Sequence, residues 1–200
     1  MERPYVALGD TLEVYLADAN VLYSRVLRDY LLYAMRARLI SVTWSQGILD
    51  EMAEHLMANR PGFTQQSADR LVRAMTVTFP RAQRDPGPGH FALLDGIGLP
   101  DEDDRHVIAA AIAAQASFIC THNAGDFPPD VLAQFGLAVV TPDELLTRLI
   151  RKHKPSMLWV HRTHVASLAG ATDDTTIAAL RKADAPLTAD LLAQVLASGE

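Results

Sequence analysis

Cysteine is all but missing from this 200-residue chain, with Cys120 as its single example. One thiol cannot build an internal disulfide framework, so a small bridged scaffold is excluded and a reducing compartment suits the chain. Long apolar runs are missing as well. The longest, Val107 to Cys120, is interrupted by Gln115 and Ser117 and is too short to span a bilayer. The first residues carry Glu2, Asp10 and Glu13 and no apolar core of signal length, so no secretory signal is expected. Positive charge is also scarce: 18 Lys and Arg against 24 Asp and Glu leave a net charge of −6. That balance argues against a surface that clamps nucleic acid throughout. Nucleic acid as a substrate stays open, because metal-binding carboxylates count as negative here and are neutralised once loaded. There is no Gly-x-Ser-x-Gly elbow and no P-loop. Gly87, Gly89, Gly96 and Gly98 neither follow a clear strand nor open a helix, unlike a dinucleotide fingerprint. Cys120-Thr-His122 lacks zinc-ligand spacing. The expectation is a cytoplasmic protein with no membrane partner.

What is present is a core. Residues of hydrophobic type make up 49% of the chain, enough for one domain or a domain with a small appendage. Residues 12–17 alternate and read as a strand, and residues 20–37 carry a helical apolar pattern. Leu39 to Trp44 reads as a second strand, and Ser45 caps a helix lasting to about Met57. Another amphipathic helix covers 64–77. Residues 78–100, rich in Pro and Gly, have no clear assignment beyond one weak strand. An alanine-rich helix follows, then a strand at Phe118–Thr121, a short helix opened by Phe127-Pro128-Pro129, and a strand at Leu137–Val140. Pro142 starts a helix at its favoured first position. Strand and helix alternating in this way predict an α/β fold with a mostly parallel sheet. Lys154-Pro155 reads as a junction. Short helices at about 156–168, 174–183 and 187–197 beyond it are expected to pack on the main body or on a partner. The expected division is an α/β domain at 10–152 and a C-terminal helical extension at 153–200.

The stretch Leu99-Pro-Asp101-Glu102-Asp103-Asp104-Arg-His106 runs four acids straight into the alanine helix. Carboxylates favour a helix N-terminus, so some of this acidity is capping. At about 100° per residue, however, Asp104 falls in line with Ile108 and Ala111 on the apolar face, and His106 points nearly opposite. A carboxylate on the core side is costly unless a cation or strong donors meet it. Asp18 directly follows the first strand, and Asp126 lies in the loop after the strand at 118–121. In open α/β sheets ligands sit beyond the carboxyl ends of the strands. In the helix from Ser45, Glu51 sits at the margin of the apolar stripe while Glu54 faces solvent. Each acid has an ordinary reading: Asp18 and Asp104 as caps, Glu51 as a solvated helix residue, Asp126 as a turn residue. As a set at one sheet edge they would repel one another unless they surround divalent cations. All-oxygen ligands select Mg²⁺ or Mn²⁺.

Four segments carry a resemblance to a known family: Leu16-Ala-Asp18-Ala-Asn20, Trp44 through Glu51, Pro100 through Ala111, and Thr121-His-Asn123-Ala-Gly-Asp126-Phe-Pro. In this order and spacing, across roughly 12–150, the chain resembles a PIN domain, most of all the VapC-type toxins of bacterial toxin–antitoxin pairs. The resemblance implies a three-layer α/β/α sandwich and a metal-dependent ribonuclease. Its acidic catalytic and metal site would be Asp18, Glu51, Asp104 and Asp126, with one or two Mg²⁺ or Mn²⁺ ions. Asn20, Thr121 and Asn123 would be polar support. It further implies an RNA substrate, a homodimer and a cognate antitoxin. Asp101 and Asp103 compete for the third position by sequence, and the helical-face argument selects Asp104. Asp18 and Asp104 are assigned as main ligands, Asp126 as completing the site or orienting water, and Glu51 as holding a second, weaker ion or acting through water.

Arg148, Arg151, Lys152, Lys154 and Arg162, with His153, His161 and His164 among them, form the most basic segment. It reads either as a track for a phosphate backbone or as a solvated helix face. Two other functions fit the same residues: a housekeeping RNA-processing nuclease, and a non-catalytic, metal-stabilised interaction module.

Overall fold

A computed structural model describes residues 12–198. The stretch with Glu2 and Asp10, and the expected domain start at residue 10, lie outside the described residues. The chain divides into two compact units, one of residues 13–23 and 41–140, the other built from residues 24–40 and 141–198.

The first unit holds a four-stranded parallel sheet in the order β2-β1-β3-β4, made of β1 Val14–Ala17, β2 Ser41–Thr43, β3 Phe118–Cys120 and β4 Ala138–Val140. β1 is central, paired through Leu16 to Thr43 on one side and to Ile119 on the other. Tyr15, Leu16 and Ala17 are fully buried, as expected of a strand covered on both faces. The chain visits β2 on one side of β1 before crossing to β3 on the other. The topological switch therefore falls between the carboxyl ends of β1 and β3, the usual place for a ligand.

The helices of this unit are α1 Ala19–Tyr23, α3 Gln46–Asn59, α4 Gln65–Thr78, α5 Pro88–Ala92, α6 Arg105–Ala113 and α7 Pro129–Ala133, numbered in a series that also includes α2 Arg25–Arg36 of the second unit. Ser45 caps α3 by accepting from the Ile48 N–H at 3.2 Å. α6 packs on β1 and β3, and Ala109, Ala110 and Ala111 are fully buried, their small side chains allowing close approach to the sheet. The expected continuous helix over 20–37 is instead broken. Ser24 adopts extended backbone (φ −71°, ψ 117°) and divides α1 from α2. Within 78–100 the structure places a bridge between Trp44 and Gln83 and the short helix α5.

The second unit is helical: α2 with α8 Pro142–Lys152, α9 Lys154–Ser167, α10 Asp173–Lys182 and α11 Pro186–Ala197. Thr141 and Glu144 form a reciprocal capping box on α8. Lys154-Pro155 opens α9, and the break from α8 falls at His153. The expected boundary at 152/153 thus lies within this unit. α9 packs on α2, and α11 packs on α8 and α10, so the C-terminal helices are held by two helices of earlier sequence. A chain of buried contacts fixes α9. Tyr30 Oη lies 2.6 Å from His161 Nδ1, and His161 Nε2 lies 2.9 Å from Asp173 Oδ1. The carboxylate can only accept, so Nε2 carries the proton and Nδ1 accepts from Tyr30. His164 stands 3.2 Å from Asp29. His161 and His164 are buried packing residues and leave the basic face that the sequence had grouped them with. The architecture is the expected α/β fold with C-terminal helices, and among the described residues no helix is long and apolar enough to cross a membrane.

Candidate active site

The carboxyl ends of β1 and β3 are tied together by one saturated polar knot. Asp18, directly after β1, is 4% exposed. Its Oδ1 accepts from the Ala19 N–H at 2.6 Å, and its Oδ2 accepts from Asn20 Nδ2 at 2.7 Å and from the Thr121 hydroxyl at 2.6 Å. Asn20 also donates to Thr121 Oγ1 at 2.9 Å, and its Oδ1 accepts from the His122 N–H at 3.1 Å. The Asn123 N–H donates to Thr121 Oγ1 at 3.0 Å. These bonds fix the Asp18 carboxylate in one orientation. Burial nevertheless raises its pKa, helped by the nearby charge of Glu51 and opposed by the Thr121 hydrogen bond. Asn20 and Thr121 support the site through side chains. Asn123 does so through its backbone, its side chain being exposed.

Around Asp104 the ordinary capping work is done by its neighbours. Asp101 accepts from the Asp103 N–H at 2.9 Å and caps the 3₁₀ turn Glu102–Asp104. Glu102 accepts from the Leu99 N–H and pairs with Arg105. Arg105 in turn donates to the carbonyls of Leu94 and Ile97, clamping the preceding loop. The Asp104 side chain caps nothing, although the residue sits at the cap position of α6. Half-buried, its carboxyl is pushed up to about 6 by desolvation and by the charges of Asp18, Asp126, Asp101 and Glu51. The four acids named from sequence therefore share one electrostatic field. Glu51, on α3, and Asp126, ending the 3₁₀ turn Ala124–Asp126, are both half-buried.

Sequence reasoning missed His106. Its Nε2 lies 3.7 Å from Glu51 Oε2, a charged contact too long for a hydrogen bond. The Glu51 carboxylate raises the imidazole pKa, against the burial that lowers it. The helical wheel set His106 opposite the apolar face of its own helix, but α3 covers that side. A Cβ placed on Gly47 would stand 3.6 Å from His106 Nδ1.

The donor chemistry of the four acids is all-oxygen, and their mutual repulsion is of the kind a hard dication relieves, so the set fits Mg²⁺ or Mn²⁺ in type. Its spacing is open: among the described residues no three His, Cys, Asp or Glu side chains are grouped closely enough to hold a metal ion.

A parallel α/β sheet with acids near the switch between β1 and β3 is the arrangement found here. The PIN-domain family matches residues 14–125, more than half of the chain, and the chain belongs to that family. PIN domains are generally nucleases and typically use divalent metal ions, which places this protein among the hydrolases of nucleic acids. The matched span contains Asp18, Asn20, Glu51, Asp104, Thr121 and Asn123 and ends one residue before Asp126. Neither the curated proteins nor the solved structures gave a match.

Proposed function

We propose that this protein is a Mg²⁺- or Mn²⁺-dependent endoribonuclease, the toxin of a toxin–antitoxin pair, cytoplasmic, homodimeric and silenced by a cognate antitoxin. The observation that carries the nuclease reading is Asp104. Its carboxylate accepts no hydrogen bond among the described residues, and burial, reinforced by the charges of the neighbouring acids, raises its pKa to about 6. Such a group destabilises the fold unless it serves a ligand of opposite charge. The toxin assignment rests on the likeness of the four motifs to VapC-type toxins.

Asp18 and Asp104 would be the principal metal-holding residues, with Asp126 completing the site or orienting the attacking water, and Glu51 holding a second, weaker ion or acting through water. A bound dication supplies charge relief at the scissile phosphate, an activated water and stabilisation of the leaving oxygen. The residues themselves orient and support. Thr121 and Asn20 lock the rotamer of Asp18, so this carboxylate need not reorganise when substrate arrives. His106 restrains Glu51 from the α6 side.

The test is cleavage of a structured RNA mixture by purified protein with Mn²⁺ or Mg²⁺, with EDTA, and with Asp104→Asn. Metal-dependent cleavage lost in the variant is the expected result. Cleavage that persists in EDTA, or at the wild-type rate in the variant, would overturn the assignment. A folded protein that Mn²⁺ stabilises but that cuts nothing would favour the interaction module.

A further inference from the structure

We propose that the groove between α8 and α11 grips the phosphate backbone of single-stranded RNA, with Arg151 and Lys152 as phosphate contacts. The choice of RNA as the polyanion rests on the nuclease reading above.

The groove is an open space of about 570 Å³ lined by Glu144, Thr147, Arg148, Arg151, Lys152 and Leu187. Arg148, Arg151 and Lys152 stand at i, i+3 and i+4 on α8, so they share one face, and all three are exposed. The groove is built rather than incidental. Buried Asp143 accepts from the Leu187 N–H at 3.0 Å and the Thr188 N–H at 2.7 Å, fastening the first turn of α11 to α8. Thr188 donates back to the Asp143 carbonyl, and its hydroxyl meets that of Thr147 at 3.2 Å. The cationic wall and the wall bearing Leu187 are thereby held at fixed separation.

Charge in the groove is available for a ligand. Arg25, Arg105 and Arg181 each pair with a carboxylate. Arg151 and Lys152 pair with none among the described residues. The one acid in the lining, Glu144, has its carboxylate engaged by the Thr141 N–H and hydroxyl. The dipole of α8 favours cations in its last turn, which explains a basic residue there. It does not explain an apolar wall opposite. Leu187 is 59% exposed, a large apolar side chain facing the cations. Cations on one wall and an apolar contact on the other suit a strand that presents phosphates and sugar–base faces together.

The test uses full-length Asp104→Asn protein in EDTA and a fluorescein-labelled single-stranded RNA of 20 nucleotides, with anisotropy read from 50 to 300 mM KCl. Adding Arg151→Gln and Lys152→Gln should weaken binding about tenfold at the lowest salt. It should also reduce the slope of log Kd against log salt by about 1.4, roughly 0.7 per lost phosphate contact. Leu187→Ala should weaken binding by a smaller factor with the slope unchanged. Arg70→Gln with Arg73→Gln, on α4 of the other unit, should leave the slope in place. An unchanged slope and affinity in the Arg151/Lys152 variant, or an equal loss in the α4 variant, would overturn the proposal. Melting curves verify that each variant is folded, and the two exposed groove positions make this the expected result. Groove-dependent binding by a wild-type protein that cleaves no RNA counts against the nuclease alone. Metal-dependent cleavage with groove-independent binding counts against the groove alone.

Discussion

The two units treat their acids in opposite ways. In the helical unit each prominent carboxylate has a structural partner. Asp143 takes two backbone N–H groups, Asp173 takes His161, Asp29 takes Arg25 and His164, and Asp190 takes Arg181. In the sheet unit the charges of Asp18, Asp126 and Glu51 act on Asp104, and the His106 imidazole stands beside Glu51. A partnered acid is accounted for by stability alone. Asp104, whose pKa burial and the neighbouring acids raise, is a cost to the fold that the proposed nuclease function would explain.

Substitutions can sharpen or break this contrast. Loss of Asp104 as Asn should reduce metal-dependent RNA cleavage by about 100-fold or more, because several kcal/mol of charge stabilisation at the phosphate depend on the acidic site. Activity within a few-fold of wild type would place Asp104 among the ordinary acids. On the partnered side, Asp143→Ala leaves the buried Thr188 N–H and the part-buried Leu187 N–H unsatisfied and should cost about 2–3 kcal/mol. Thermal denaturation should then show a Tm lower by about 5–10 °C, and an unchanged Tm would deny Asp143 its structural role. Tyr30→Phe removes one hydroxyl from His161 and should cost about 1–2 kcal/mol by the same measurement, with cleavage unaffected.

The smallest effect has the most specific sign. Asp104 has its pKa raised to about 6 in the fold, against its ordinary value of 3.8. Between those values the folded chain keeps a proton that the unfolded chain has released. The penalty is absent below about pH 3.8, grows as pH rises, and is complete above about pH 6. In EDTA, Asp104→Asn should therefore raise the Tm by about 1–3 °C at pH 8 and leave it unchanged at pH 4, the size being limited by partial exposure. His161 works the other way. Burial lowers its pKa, so its contribution is complete above the ordinary value of 6.5 and is lost as pH falls below it.

Much of the site was legible in the sequence because it sits at strand ends. Asp18 follows an alternating run, and Thr121 and Asn123 follow an apolar one, so the parallel-sheet rule brings them to one edge without any knowledge of packing. Glu51 was legible from its place at the margin of a helical stripe. His106 was not. The wheel describes one helix in isolation, and α3 covers the side that it leaves to solvent. The break at Ser24 was hidden because the apolar pattern runs through it. His161 and His164 looked like part of a basic face because sequence neighbours of a Lys/Arg run share its character. Their burial depends on Tyr30 and Asp29, more than 130 positions earlier. Residues 78–100 were opaque because Pro and Gly impose local turns, while a carbonyl clamp from Arg105 fixes part of the loop.

In the proposed site the carboxylates are kept near one another against their own repulsion in order to meet a dication. Titration of Mn²⁺ into wild type and Asp104→Asn at pH 8, followed by thermal denaturation, tests this most directly. The account predicts that wild type starts lower in EDTA, gains several degrees with Mn²⁺ and overtakes the variant, whose Tm stays nearly constant. Equal responses from both proteins, or none from wild type, would contradict it.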